Sequence, residues 1–216
     1  DQLVVADIGG DISPLLLPEY REFFGNDVQL QAQVRQNADG STELENLRLN
    51  AAALSLEGGL SLDPRGLPVS VSLIGQIMPP EGDDVQLPAG GVDAHIASAG
   101  LVIGYDRTQG DTYRLGLELE ELEVDDLHVT HTSLDLQGVV AITASGVEAA
   151  TAALTTALTG IAHDDPALAE AIGHALDLNA QMSWIARAPM ILSDLNLRTG
   201  DVSATGGASL QAADGQ

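Results

Sequence analysis

The feature that most constrains this chain is alternation of apolar and polar residues with period two, written in repeated blocks. In "EVDDLHVTHTSLDLQGVVAI" (123–142), Leu127 and Val129 alternate with polar neighbours. After a break Leu134, Leu136, Val140 and Ile142 do the same, with Gly138 where another apolar residue would fall. Two further stretches follow the plan, "ELENLRLNAAALSLEGGLSL" (43–62) and "ILSDLNLRTGDVSATGGASL" (191–210). Aligned, Leu47, Leu127 and Leu195 coincide, then Leu49, Val129 and Leu197. The second burst matches as Leu54, Leu134 and Val202, then Leu56, Leu136 and Ala204, then Gly58, Gly138 and Gly206. It closes with Leu60, Val140 and Ala208, and with Leu62, Ile142 and Leu210. Period two is the spacing of a strand with one apolar face, so the pattern predicts one half-apolar strand pair written three times.

The same rhythm runs through most of the chain. Val28, Leu30, Ala32 and Val34 form a row, as do Val69, Val71, Leu73, Gly75 and Ile77. Val92, Ala94 and Ile96 follow, then Leu101, Ile103 and Tyr105. The loop "DRTQGD" (106–111) turns into Tyr113, Leu115, Leu117 and Leu119, which reads as a hairpin. Ala180, Met182, Trp184 and Ala186 keep the pattern later. The expectation is about a dozen strands in an antiparallel, largely meandering sheet with one apolar face.

Two segments break the rhythm. "LPEYREFFG" (17–25) reads as a short helix opened by Pro18 and stopped by Gly25. In 145–177, Ser145 and Glu148 have capping-box spacing and Val147, Leu154, Leu158 and Ile161 recur at helical intervals. Asp165-Pro166 then opens a second helical face of Leu168, Ile172, Ala175 and Leu176. The expected organisation is one elongated domain. Strand repeats fill 1–144, with the short helix near 18–24; a helical hairpin is inserted at 145–178 and covers part of the apolar face; strands resume at 179–216. With neither an initiator Met nor a basic leader at "DQLVVADIGG", the chain reads as an internal piece of a longer protein.

Composition narrows the function. The net charge is −24, all eight basic residues are Arg, and a polyanionic nucleic acid would be repelled. Hydrophobic residues make up 44% of the chain but aromatic ones only 3%, which suits a thin repetitive layer better than a thick globule. There is no Cys, so disulfides and thiolate sites are excluded. No P-loop, G-x-S-x-G elbow or dinucleotide fingerprint is present, which argues against an enzyme. His128 and His131, three apart in a strand, are expected on opposite faces and so unable to share a metal. His163 reads as a helix entry. The acidic run "ELEELEVDD" (118–126) reads as a solvated outer face, with phase slips at Glu120–Glu121 and Asp125–Asp126 that predict turns or bulges. No metal or cofactor is expected.

The repeat, "DISPLLLPEYREFFG" (11–25) and "LSLEGGLSLDPRGLPVSVSLIGQI" (54–77) resemble TamB, of the AsmA-like family of Gram-negative envelope bridge proteins. The resemblance spans most of the chain apart from 145–177. It implies a mainly β fold, an elongated antiparallel sheet curled into a U-shaped, apolar-lined groove (a β-taco). It also implies a periplasmic protein anchored in the inner membrane, which shelters and conducts phospholipid acyl chains toward the outer membrane and supports outer-membrane biogenesis. An outer-membrane barrel protein of the TamA/BamA type would be met through regions outside this segment. The lining expected from alternation and resemblance together is Leu47, Leu49, Leu54, Leu56, Leu60, Leu62, Val69, Val71, Leu73, Ile77, Leu115, Leu117, Leu127, Val129, Leu134, Leu136, Val140, Ile142, Met182, Trp184, Leu195 and Leu197. Pattern alone favours an ordinary sandwich or solenoid core, and the resemblance reverses that preference. The alternative is therefore a structural or adhesive repeat segment of a secreted acidic protein with a closed β core, and a polysaccharide-acting enzyme on a β-solenoid is a weaker third.

Overall fold

The computed structural model describes residues 1–80, 84–88, 92–200 and 202–210. The alternating stretches become fourteen strands: β1 (Gln2–Gly10), β2 (Val28–Gln36), β3 (Thr42–Asn50), β4 (Leu54–Leu62), β5 (Pro68–Ile77), β6 (Val85–Gln86) and β7 (Ala94–Ile96), then β8 (Ser98–Asp106), β9 (Thr112–Val124), β10 (Leu127–Thr143), β11 (Gly146–His163), β12 (Ala175–Ile185), β13 (Met190–Thr199) and β14 (Val202–Leu210). All belong to one antiparallel sheet. It runs in chain order from β1 to β14, except that the short β6 and β7 pair with each other and β7 also pairs with β9. The sheet is not closed: β1 and β14 are its two ends. Short connections between half-apolar strands give this meander, because each strand pairs most cheaply with the one just made.

The short helix is present as α1 (Arg21–Phe24), entered through a 3-10 turn at Pro18–Tyr20 and stopped by Gly25 at φ 67°. The expected hairpin over 106–111 is also present, with a 3-10 turn at Arg107–Gln109 between β8 and β9. The helical hairpin expected at 145–178 is not. Residues 146–163 form β11, paired along its length with β10 and β12, and only Pro166–Ile172 is helical (α2). Leu154 and Leu158 are four apart, a spacing shared by one helix face and one strand face. Thr151, Thr155, Thr156 and Thr159 supply the β-branched residues that a strand prefers, and two flanking strands supply the hydrogen bonds. The second helix starts as expected, with the Asp165 carboxylate accepting from the Ala167 amide and Pro166 at the first turn. It stops at Gly173, φ 72°, so Ala175 and Leu176 belong to β12. None of its residues is buried, so it closes a loop rather than covering the sheet.

Two of the three sequence repeats are strand pairs. In β3–β4, Leu44, Leu47 and Leu49 stand opposite Leu60, Gly58 and Leu56. In β13–β14, Leu192, Leu195 and Leu197 stand opposite Ala208, Gly206 and Ala204. Both hairpins carry the same register shift, at Asn46 (φ 55°) and Asp194 (φ 52°), bulges that let two apolar residues three apart reach one face. The middle repeat differs, since 127–143 is a single 17-residue strand. Where the first repeat turns through Ala51–Ala52 and the third through Thr199–Gly200, the second has Thr130-His131-Thr132, which favours extension.

The densest packing lies at one end of β4, β5, β8 and β9. Phe23, Ala53, Val85 and Ile96 are buried there, against Leu54, Ile77, Ala99, Leu119 and Leu122 of the sheet. The amides of Ala52 and Ala53 bond to the carbonyls of Phe24 and Phe23, which fixes α1 over the end of β4. The Phe23 and Phe24 rings meet edge to face at 5.0 Å. The local cover on the sheet is thus built from 18–24 together with Val85, Leu87 and Ile96.

Candidate functional site

Antiparallel partners project to the same face, so the registers can be followed as rows from strand to strand. One row crosses all twelve strands of the main path: Ile8, Leu30, Leu49, Leu56, Gly75, Leu101, Leu117, Leu134, Thr156, Leu178, Leu197 and Ala204. A parallel row joins Leu47, Gly58, Leu73, Ile103, Leu115, Leu136, Leu154 and Ala180. A third joins Val34, Leu44, Leu60, Val71, Tyr105, Tyr113, Gly138, Ala152, Met182, Leu192 and Ala208. None of the three contains a charged residue. From β2 to β13 their members are half-buried or better, while Ser55, Glu57, Gln76, Glu118 and Gln137 on the other face are exposed.

Most residues singled out from the sequence fall on these rows or directly beside them. Leu54 and Ile77 stand opposite each other under the Phe23 cover. Leu62 lies between Thr42 and Pro68. Leu127 and Val129 extend the face beyond a kink, where Val129 is fully buried between Leu122 and Ile161. Val140, Ile142 and Trp184 continue it, opposite Ala150, Val147 and Ala150 respectively. Leu195 follows the β13 bulge, and Val69 sits at the β4–β5 register shift without a direct partner. Sequence reading missed Ala152, Leu154, Leu158, Leu176 and Leu178, which share the face, because their segments read as helix. The signal was available as alternation from Ala150 through Leu158.

The described concavities open on the other face. One of about 700 Å³ lies over the cross-strand row Ser72, Gly104, Arg114, Gln137 and Ala153. Another of about 360 Å³ lies over Ile74, Val102, Gly116, Asp135 and Thr155. Each row contains a glycine, Gly104 or Gly116, which leaves a low point between taller side chains. Arg114 borders both and is held 3.0 Å from the Asp135 carboxylate.

The same polar face carries His95, His128 and His131, and one expectation is corrected there. His128 and His131 share a face. Glu121 at φ 51° in β9 and Gly160 at φ 68° in β11 mark a slip in the alternation, which β10 follows between Val129 and Thr132, both turned inward and buried. His128 Nε2 lies 3.0 Å from Glu121, and His131 Nδ1 lies 2.8 Å from Glu120. His95 Nδ1 lies 2.7 Å from Asp84. The expected slips are therefore present at Glu121 and at Asp125 (φ 50°). Among the described residues no three His, Asp or Glu converge as a metal site would require, and no helix is long and apolar enough to cross a membrane.

At the end of the strands away from Phe23, Asp63 ties two loops together. Burial opposes its ionisation, but the amides of Leu67 and Arg65 and the Arg65 guanidinium outweigh that and hold its carboxyl below the usual range. Arg107 reaches the same carboxylate at 3.0 Å from the β8–β9 loop. Beside it, burial and the hydrogen bond that the Tyr105 hydroxyl donates to Asp111 push the Tyr105 phenol up to about 12.

The arrangement presents three uncharged rows on one face of the sheet, with His95, His128 and His131 paired to acidic side chains on the other. Comparisons of the chain with protein-family models, with curated proteins and with solved structures give no match.

Proposed function

We propose that this chain is a segment of a lipid conduit, a sheet curled lengthwise into an open, apolar-lined groove that shelters phospholipid acyl chains. The observation that carries the reading is the uncharged row from Ile8 to Ala204, which continues through twelve strands without a break. A lipid path needs such continuity. Each methylene removed from water is worth about 0.8 kcal/mol, so a chain of ~16 carbons represents on the order of 10 kcal/mol and any polar gap becomes a barrier. The resemblance to TamB adds the setting: a periplasmic, inner-membrane-anchored bridge that serves the outer membrane and meets a TamA/BamA-type barrel elsewhere in its length.

The test substitutes Leu56→Arg and Leu136→Arg and follows thermal melting together with phospholipid retained in native mass spectrometry. In an open groove the guanidinium reaches water along the cleft, so the fold survives and lipid occupancy drops. In a closed core each change buries an unpaired charge at a cost of several kcal/mol, and the sheet unfolds. Unfolding, with no lipid bound to the unmodified chain, removes the conduit reading.

A further inference from the structure

The three uncharged rows offer no group that could tell one phospholipid from another, so any selection comes from the charges at the two ends of the strands. Resting on the conduit reading, we infer that this face takes phospholipids whose headgroup is zwitterionic and ends in an ammonium, and excludes those whose headgroup carries net negative charge.

The acyl chains cannot make the choice. They bury the same methylenes whichever headgroup they carry, and the headgroup stays in water beyond the rows, because moving an ionised group out of water is costly. At the end of the strands that includes Phe23, the β9–β10 turn places Asp125 and Asp126 immediately before Leu127, and the turn after β11 places Asp164 and Asp165. The two turns are side by side, with the Asp164 amide donating to the Asp126 carbonyl at 3.3 Å. All four aspartates are exposed, and neither turn contains an Arg. At the opposite end the guanidinium groups are already matched. Arg65 and Arg107 both reach Asp63, each at 3.0 Å. The Asp63 carboxyl is held below the usual range, so it stays ionised and offsets them at any ordinary pH. Arg35 lies 3.4 Å from Glu45 and Arg114 lies 3.0 Å from Asp135. A lipid phosphate drawn to one of these guanidinium groups meets a carboxylate already in place.

Both ends therefore act in one sense, and the net charge of −24 adds to it. A headgroup such as glycerol phosphate brings one net negative charge into that field. An ethanolamine or choline headgroup brings none, and its outer ammonium faces the carboxylates. The selection works by repulsion spread over the strand ends and needs no dedicated headgroup pocket.

The probe is a vesicle of equal parts phosphatidylethanolamine and phosphatidylglycerol with the same acyl chains. The whole chain is incubated with it and separated, and the bound lipid is identified by mass spectrometry. Because both lipids share one vesicle, encounter with the membrane is common to them and only retention differs. At low salt the ethanolamine lipid should be retained over the glycerol lipid by about threefold or more, the effect of roughly one kT on a unit charge. At roughly 1 M salt, where the screening length is about 3 Å, the ratio should fall toward parity. Asp125→Asn, Asp126→Asn and Asp164→Asn together should raise the glycerol lipid's share at low salt. Melting should be unchanged, since all three are exposed and Asn tolerates the left-handed backbone of Asp125. Equal retention at low salt, an excess of the glycerol lipid, or a preference indifferent to salt overturns the inference and leaves the conduit standing. So does an unchanged share in a variant that folds; if the variant unfolds, the salt series decides. Retention of neither lipid removes the conduit reading, and this inference with it.

Discussion

Two neighbouring rows of the same face live under different conditions. Leu54, Ile77, Ala99 and Leu119 pack against the buried Phe23, Val85 and Ile96. Two residues further along those strands Leu56, Gly75, Leu101 and Leu117 stand opposite one another in the same order, beyond that cluster. The sequence spells the rows almost identically, and what differs is the segments laid over them. Side-chain burial fixes the covered end, while backbone pairing and lateral contact between leucines hold the remainder.

The largest expected effect separates these regions directly. Phe23→Ala should cost about 3–5 kcal/mol, through lost burial and the cavity left behind. Leu101→Ala should cost only about 1 kcal/mol, because a half-exposed side chain leaves no enclosed void. Equal losses by denaturant titration would break the comparison and place a second cover over Leu101.

A smaller effect reports on Tyr105, at the end of the strands far from Phe23. Its phenol is raised from 10.0 to about 12 in the fold, so the folded state holds its proton more tightly than the unfolded chain does. The stability it contributes is complete below pH 10 and is lost as pH climbs from there through about 12. Melting temperatures measured across that window should fall, and Tyr105→Phe should flatten the decline. An unchanged slope in the variant would mean that Tyr105 is not the group responsible.

The smallest effect concerns α2, the segment that sequence reading placed over the sheet. Leu168 is 47% exposed and no residue of that helix is buried, so Leu168→Ala should change stability by no more than ~0.5 kcal/mol. A loss comparable to that of Phe23→Ala would restore α2 as a cover.

Much of this was legible because alternation is a local signal. Strands such as β5 and β9 state their face residue by residue, and the slip at Glu121 could be read as two adjacent acidic residues. The short helix was equally plain between Pro18 and Gly25. What stayed hidden depends on partners. "AATAALTTALTG" satisfies a helix and a strand alike, and only the strands on either side of it decide. His128 and His131 were misplaced because straight-strand geometry was applied across a kink marked in the two flanking strands, at Glu121 of β9 and Gly160 of β11. Val85 gave no warning at all: a two-residue strand has no period to read, yet it is among the most buried side chains described.

The order of strands has a further consequence, for the time course of folding. Along the main path each strand docks on the strand made just before it, except β8, which pairs with β5 across the short β6 and β7. Contacts so local in the chain cost little loop entropy, which is unusual for a sheet this wide. The molecule can be assembled by accretion, one hairpin after another, from whichever stretch first becomes free. Such a chain does not need its far end before its near end is ordered, a property suited to a polypeptide that emerges gradually.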